Sequence, residues 1–328
     1  MADAMVFPER PLIILGEVRT CVVPAAGALS RVEVRDLLAL KPGRPVRSWE
    51  RPIPMAISPT MLVGVDCLLP TGSGAKAESR GTVATNAVVV GGRVLQSSVR
   101  SVVVRSARPQ REKWEHYLRS GGVAEVINKI SSGIGPDLVN GFLYRPQAND
   151  TLDLASISER LLAKVRLDRG LDQRSPLLVG STRLRWTARL GEVDAPAVDF
   201  RLEDDEIRTV QITVREIGEL AVVHQFCADL AMHDWLLTAV VNVVEEADRY
   251  DTASQESARV LAAVLEHLAH LWMPGAHTPP QFLGLWQQLE MRPGFTRDWE
   301  SRVGQLRNRL SVATLAALRE AKVATTNW

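Results

Sequence analysis

The chain has 328 residues, long enough for one large core or two of ordinary size, and 46% hydrophobic with 23% charged residues is the make-up of a folded globular protein. Basic and acidic side chains nearly cancel, 39 against 38, so a net charge of +1 supplies no global field toward nucleic acid or an anionic membrane. The 33 Arg against 6 Lys follow from a GC-rich genome, and three separated cysteines, Cys21, Cys67 and Cys227, speak against a disulfide framework or a four-cysteine zinc site.

The start, MADAMVFPERPLIILGEVRT, carries two acids ahead of only the short apolar run LIIL, unlike the basic start and apolar core of a signal peptide. No stretch approaches roughly 18 uninterrupted apolar residues, so a cytoplasmic chain without a membrane span is expected. PLIILGEVRTCVVP reads as two short strands about Gly16 and Glu17, and RVEVRDLLAL as a short helix stopped by Lys41-Pro42-Gly43. From Pro45 to Pro59 the prolines Pro52 and Pro54 exclude a regular element. Val83–Val90 and Arg93–Val104 are β-branched runs joined by Gly91-Gly92, the pattern of a hairpin.

REKWEHYLRSGGVAEVINKI reads as two short helices about Gly121-Gly122, and DLVNGFLYR as a strand. In LDLASISERLLAKVRLD, Ile157, Leu161, Leu162 and Val165 form one helical stripe. TRLRWTARL, VDFRLED and TVQITV each alternate apolar and polar residues, which predicts a three-strand antiparallel meander with one solvated face. Helices are expected over 219–248, 255–273, 280–291 and 296–322, set apart in part by Pro274, Pro279-Pro280 and Pro293-Gly294. The fold class is therefore α+β: an α+β unit with antiparallel strands over 1–215 and a helical unit over 216–328, the latter able to pack on the sheet as one body.

The chemistry-bearing residues gather in HQFCADLAMHDWLLTAV, residues 224–240. At 100° per residue, His233 falls within the stripe of Val222, Val223, Phe226, Leu230, Leu237, Val240, Val241 and Val244, with Asp229 one turn earlier at its edge. His224, Cys227 and Asp234 fall on another side. Asp229-His233 reads either as a hydrogen-bonded core pair or as an Asp-oriented catalytic base that needs a nucleophile from elsewhere. His224 and Cys227 with His267 and His270 of the next helix offer four zinc-ligand types, although neither HExxH nor a paired CxxC accompanies them. No metal or other cofactor is expected.

PTGSGAKAESRGT fails the phosphate-loop pattern, since neither Ser nor Thr follows Lys76. Arg183, Arg185 and Arg189 share a strand face that could grip phosphates, but Asp199 and Glu203 on the following strand suit a charge-matched solvated face. The helix RVGQLRNRLSVATLAALRE, with Val303, Leu306, Leu310, Ala313 and Ala317 in one stripe, can cover the core or a partner.

GEVRTCVVP, GVDCLLP, GTVATNAVVVGGRVLQSS and FCADLAMHDWLLT together resemble an uncharacterised family of actinobacterial proteins encoded beside a methyltransferase-like protein and a P-loop protein. The resemblance implies a cytoplasmic protein working with neighbouring gene products. The expected function is a non-enzymatic interaction or scaffold subunit, with protein partners or a second copy of itself. The alternatives are a hydrolase-like or metal-dependent enzyme on Asp229-His233, and a nucleic-acid-binding protein on the arginine face.

Overall fold

The computed structural model describes residues 10–326 apart from 109, 132, 147, 178 and 251–253; the acidic start read above falls largely outside them. In chain order the first elements are β1 (Ile13–Val22), α1 (Arg31–Leu37), β2 (Arg47–Trp49), β3 (Met55–Ile57), β4 (Met61–Leu69), β5 (Ala77–Val90) and β6 (Val94–Arg105). Next come α2 (Trp114–Arg119), β7 (Val123–Val126), α3 (Ile134–Tyr144), α4 (Leu154–Arg166), β8 (Thr182–Leu190), β9 (Ala197–Leu202) and β10 (Ile207–Val214). The rest is helical: α5 (Ile217–Leu220), α6 (Val223–Ala247), α7 (Gln255–His267), α8 (Leu283–Met291) and α9 (Phe295–Thr326).

The strands form a single ten-stranded mixed sheet in the order β2-β3-β5-β7-β6-β1-β8-β10-β9, with β4 alongside β5. Its centre is β1, β5 and β6, whose β-branched runs are buried along nearly their whole length. Such runs need cover on both faces. α3 and α4 pack on Leu15, Val99 and Val103, and α1 on the neighbouring Cys21, Val89 and Leu95. On the opposite face α6 and α8 close over Ile14, Val18, Leu184, Trp186 and Val210. That core draws on residues before and after position 215, so the helical third is packed on the sheet. The α+β architecture is as read.

The β5–β6 hairpin also holds, with Gly91 and Gly92 at φ of 58° and 64°, the left-handed geometry a two-residue turn demands. Pairing between its arms stops at Ala84↔Arg100. Beyond that point the arms splay and β7 enters between them, antiparallel to β5 and parallel to β6. Gly81 permits the insertion, because a Cβ there would stand 2.1 Å from the Val123 carbonyl oxygen. The segment VAEV is thus a strand and not the helix expected; its four residues are too few to reveal their period.

Four further expectations are corrected. β1 is one strand through Gly16-Glu17. DLVNGFLYR lies within helix α3, where Leu138, Val139, Phe142 and Leu143 recur at helical spacing and are all buried. The proline-rich stretch holds β2 and β3, short strands on either side of Pro52 and Pro54. The meander is not a meander: β10 lies between its two partners, parallel to β8 and antiparallel to β9. Burial gives the reason. Val210, Ile212 and Val214 are fully buried, whereas Leu202 of β9 is 61% exposed, so the more apolar strand takes the interior and the more polar one the edge.

α6 has the length and mean hydropathy, 1.3, of a membrane-crossing helix, yet 67% of that window is buried within the fold. It lies under α7, α8 and α9 as well as on the sheet, so Cys227 and Asp234, placed off its apolar stripe, are buried too.

Candidate functional site

The rows of alternating residues on the α6 side of the sheet decide where a cavity can form. Along the register, Arg47, Ile57, Val88 and Gln96 make one row, Trp49, Met55, Val90 and Val94 the next, and Asn86 and Ser98 a third that leads to Arg100. The first turns of α6 pass above these rows, and the residues between them enclose a cavity of about 320 Å³. Its lining combines the sheet residues with His224, Gln225, Ala228, Asp229 and Met232 of α6, and Ala276 and His277 of the following loop. That volume lies at the lower end for small-molecule sites, roughly 300–1,000 Å³.

Arg100 dominates the electrostatics. It is 8% exposed and sits where the hairpin arms part. One guanidinium nitrogen donates to Asn86 Oδ1 at 3.4 Å, and Nε has no partner. Asn86 is itself fixed, its amide donating to the Ser58 carbonyl at 3.1 Å and Thr60 Oγ1 at 3.0 Å. Among the described residues no carboxylate pairs with Arg100. Burial pushes its pKa down to about 10, and the like charge of Arg47 adds to the shift. His224 lies within reach of both fields: burial first, then Arg100, holds it neutral, well below the ordinary histidine range. The cavity is thus a cationic recess whose lining also includes the apolar Trp49, Met55, Ile57, Val88 and Met232.

Asp229 and His233 are brought together, and their bonding defines what they do. His233 is fully buried. Its Nε2 accepts from the Met273 backbone N–H at 3.1 Å, which fixes the neutral tautomer with Nδ1–H donating to the Asp229 carbonyl at 2.8 Å. Both ring nitrogens are occupied, and burial lowers its pKa more than the Asp229 charge raises it. The Asp229 Oδ2 accepts from Gly275 N–H at 2.9 Å and Thr278 Oγ1 at 2.7 Å, and Trp286 Nε1 donates to Thr278 Oγ1 at 3.0 Å. The pair therefore pins loop 273–278, which carries Ala276 and His277 into the cavity wall. His233 does not line the cavity; Asp229 borders it, with its carboxylate fully buried.

The other sequence candidates go to different places. Cys227 is buried in the apolar core and burial holds its thiol well above the ordinary range. His267 Nδ1 accepts from Arg93 at 3.1 Å. His224 lines the cavity, His270 lies near His267, and among the described residues no three His, Cys, Asp or Glu side chains form a metal-binding group. Two of the arginines of that face find a carboxylate, but of a residue other than those expected, and one they share with Arg19. Because β10 intervenes, Arg183 and Arg185 turn to Glu17 of β1, with Arg183 making contacts of 3.2 and 3.3 Å and Arg185 one of 3.6 Å. Glu17 is 1% exposed, so these two arginines are held against the sheet rather than offered to phosphates.

Arg47, Asn86, Gln96, Arg100 and His277 were not singled out from the sequence. One signal was available: in LQSSVRSVVV, Gln96, Ser98 and Arg100 recur with period two within a run otherwise reading as a buried central strand. Polar residues on one face of such a strand mark a face that does not pack on apolar side chains. Compared with protein-family models, curated proteins and solved structures, the chain matches none.

Proposed function

We propose that this chain is a cytoplasmic, non-enzymatic binding subunit of a multi-protein system, and that it holds a small organic anion in the cavity beneath α6. The observation that carries the reading is Arg100, a buried cation facing an open cavity with no carboxylate among the described residues to balance it. An unpaired buried charge costs several kcal/mol, and a carboxylate or phosphate delivered from solvent removes that cost. Arg47 and the amide of Gln225 extend the polar lining, and the apolar residues around it suit an organic body. A catalytic reading finds less support, since both His233 nitrogens are engaged within the fold.

Heating the purified chain with hexanoate, benzoate or inorganic phosphate tests the ligand. At least one of the three raises the melting temperature in a concentration-dependent way, by about 2.7 kcal/mol of stability at a hundred times its dissociation constant. No shift with any of them at tens of millimolar ends the reading. Partners are expected on α9, where Val312, Leu315 and Leu318 are 57%, 57% and 61% exposed at helical spacing. Co-purification from the native host checks this, and a consistently solitary monomer counts against it.

A further inference from the structure

Alternation along a strand decides which backbone groups face which neighbour. In β4, Leu68 N–H donates to the Asp150 carbonyl at 3.0 Å and the Leu68 carbonyl accepts from Leu152 N–H at 2.8 Å, both on the side away from β5. By parity Leu62, Gly64 and Asp66 face the same way, while Met61, Val63, Val65 and Cys67 bond to β5. The partner strand agrees: Glu78, opposite Leu68, accepts from Ile127 N–H at 3.0 Å on its β7 side. The N–H and C=O groups of Leu62, Gly64 and Asp66 therefore point off the sheet, and none has a backbone partner among the described residues. All three residues are exposed.

The outer-strand position is filled at both ends of this gap. β2 occupies it beside Met55–Ile57, and Thr151 bridges to Leu68. The nine-residue β4 of a second copy, laid along the edge, would meet those segments, so the gap suits about five extended residues. The other edges are guarded. At β9, Gln288 of α8 accepts from Val198 N–H at 3.3 Å and donates to the Pro196 carbonyl at 3.0 Å, and β2 has only three residues. By contrast, β4 runs in unbroken register without lysine, proline or bulge, the devices that keep an edge from pairing. Its one charge, Asp66, is shared by Arg111 at 2.9 Å and Arg80 at 3.6 Å, which leaves that end of the gap cationic. On the opposite face Val63 and Val65 continue the apolar core outward.

We infer that this gap takes an extended segment of a partner protein as an added antiparallel strand, acidic where it passes Arg111 and apolar beside Val63 and Val65. Pairing centred on Gly64 lets each outward residue exchange both bonds with the one opposite. The inference rests neither on the anion cavity nor on α9. Calorimetric titration of the full chain with acetyl-Glu-Val-Thr-Val-Thr-amide tests it, and the peptide binds at submillimolar concentration. N-methylation of its Glu and Thr nitrogens, which face the edge, weakens binding by about tenfold or more; methylation of its Val nitrogens, which face solvent, changes it by less than about threefold. Gly64→Pro removes the central donor while every β4–β5 hydrogen bond stays, and lowers affinity by about tenfold. Leu62→Pro does the same from one end of the gap, and serves where Trp114, 3.3 Å from a Cβ at position 64, resists the ring. No binding, or binding that survives both methylation patterns or both proline variants, overturns the inference. So does a wild-type chain that sediments as a dimer and that Gly64→Pro converts to a monomer, since the edge then belongs to a second copy.

Discussion

The variant Arg100→Met melts higher than the wild type in the absence of ligand and no longer responds to hexanoate or phosphate. Methionine fills much of the volume of the arginine stem without bringing a charge into a site where burial already lowers the arginine pKa to about 10. Replacing a buried charge by an apolar group of similar size is commonly neutral or stabilising by about 1–4 kcal/mol. Against this stands the loss of one long hydrogen bond, to Asn86 Oδ1 at 3.4 Å, which costs about 1 kcal/mol. The net gain is read as a rise in the ligand-free melting temperature, and saturating anion reverses the order of the two proteins. A residue retained at a cost in stability is a mark of function. Arg100→Lys, which keeps the charge but not the planar fork, retains a weaker response. A methionine variant that melts several degrees lower, with the anion response intact, would show that Arg100 serves the fold alone.

The position of that arginine links topology to site. Had the hairpin of β5 and β6 stayed paired to its end, Arg100 would have faced a continuous strand neighbour. The entry of β7 opens the ladder just past Arg100, while β3 gives way to β4 on the far edge of β5 near Asn86. A polar row then finds room between sheet and helix. None of this is local. Helical phase alone places Asp229 beside His233, because both lie on one helix at a spacing of four. By contrast, the meeting of Arg100 with His224 depends on how α6 crosses β6, which no period in either segment encodes. The same limit explains the pairing of β8 with β10: alternation identifies both as half-buried strands but says nothing about which lies at the edge. VAEV and DLVNGFLYR depart from expectation for a different reason, since short apolar runs fit helix and strand equally and only their neighbours decide.

Replacing His233 by alanine is expected to destabilise the protein by about 3–5 kcal/mol, measured as a lower urea midpoint. The ring packs edge-on against Trp272 and Trp286, with centroids 5.1 and 5.3 Å away, so its removal leaves a cavity between two large side chains. It also leaves the Met273 N–H without its acceptor, and loop 273–278 loses one of its anchors to α6. Glutamine, which can offer an oxygen to that N–H, restores part of the loss. The pH dependence separates this role from simple packing. Burial holds the His233 pKa below the ordinary value of 6.5, so the unfolded chain takes up a proton that the native state refuses. The stability that His233 contributes is complete above pH 6.5 and is lost as pH falls through its native pKa. His224 and His277 shift in the same direction through burial, so the wild type weakens steadily on acidification. Asp234 opposes them, because burial raises its pKa from 3.8 to about 6 in spite of the opposing charge and hydrogen bond of Arg208, and its contribution falls as pH rises across that interval. Removing His233 therefore flattens the acid limb by up to about 1.4 kcal/mol per pH unit, the value of one proton, without abolishing it. An acid limb identical in wild type and variant would mean that the ring is protonated in the native protein, and that the hydrogen bond from Met273 is not made.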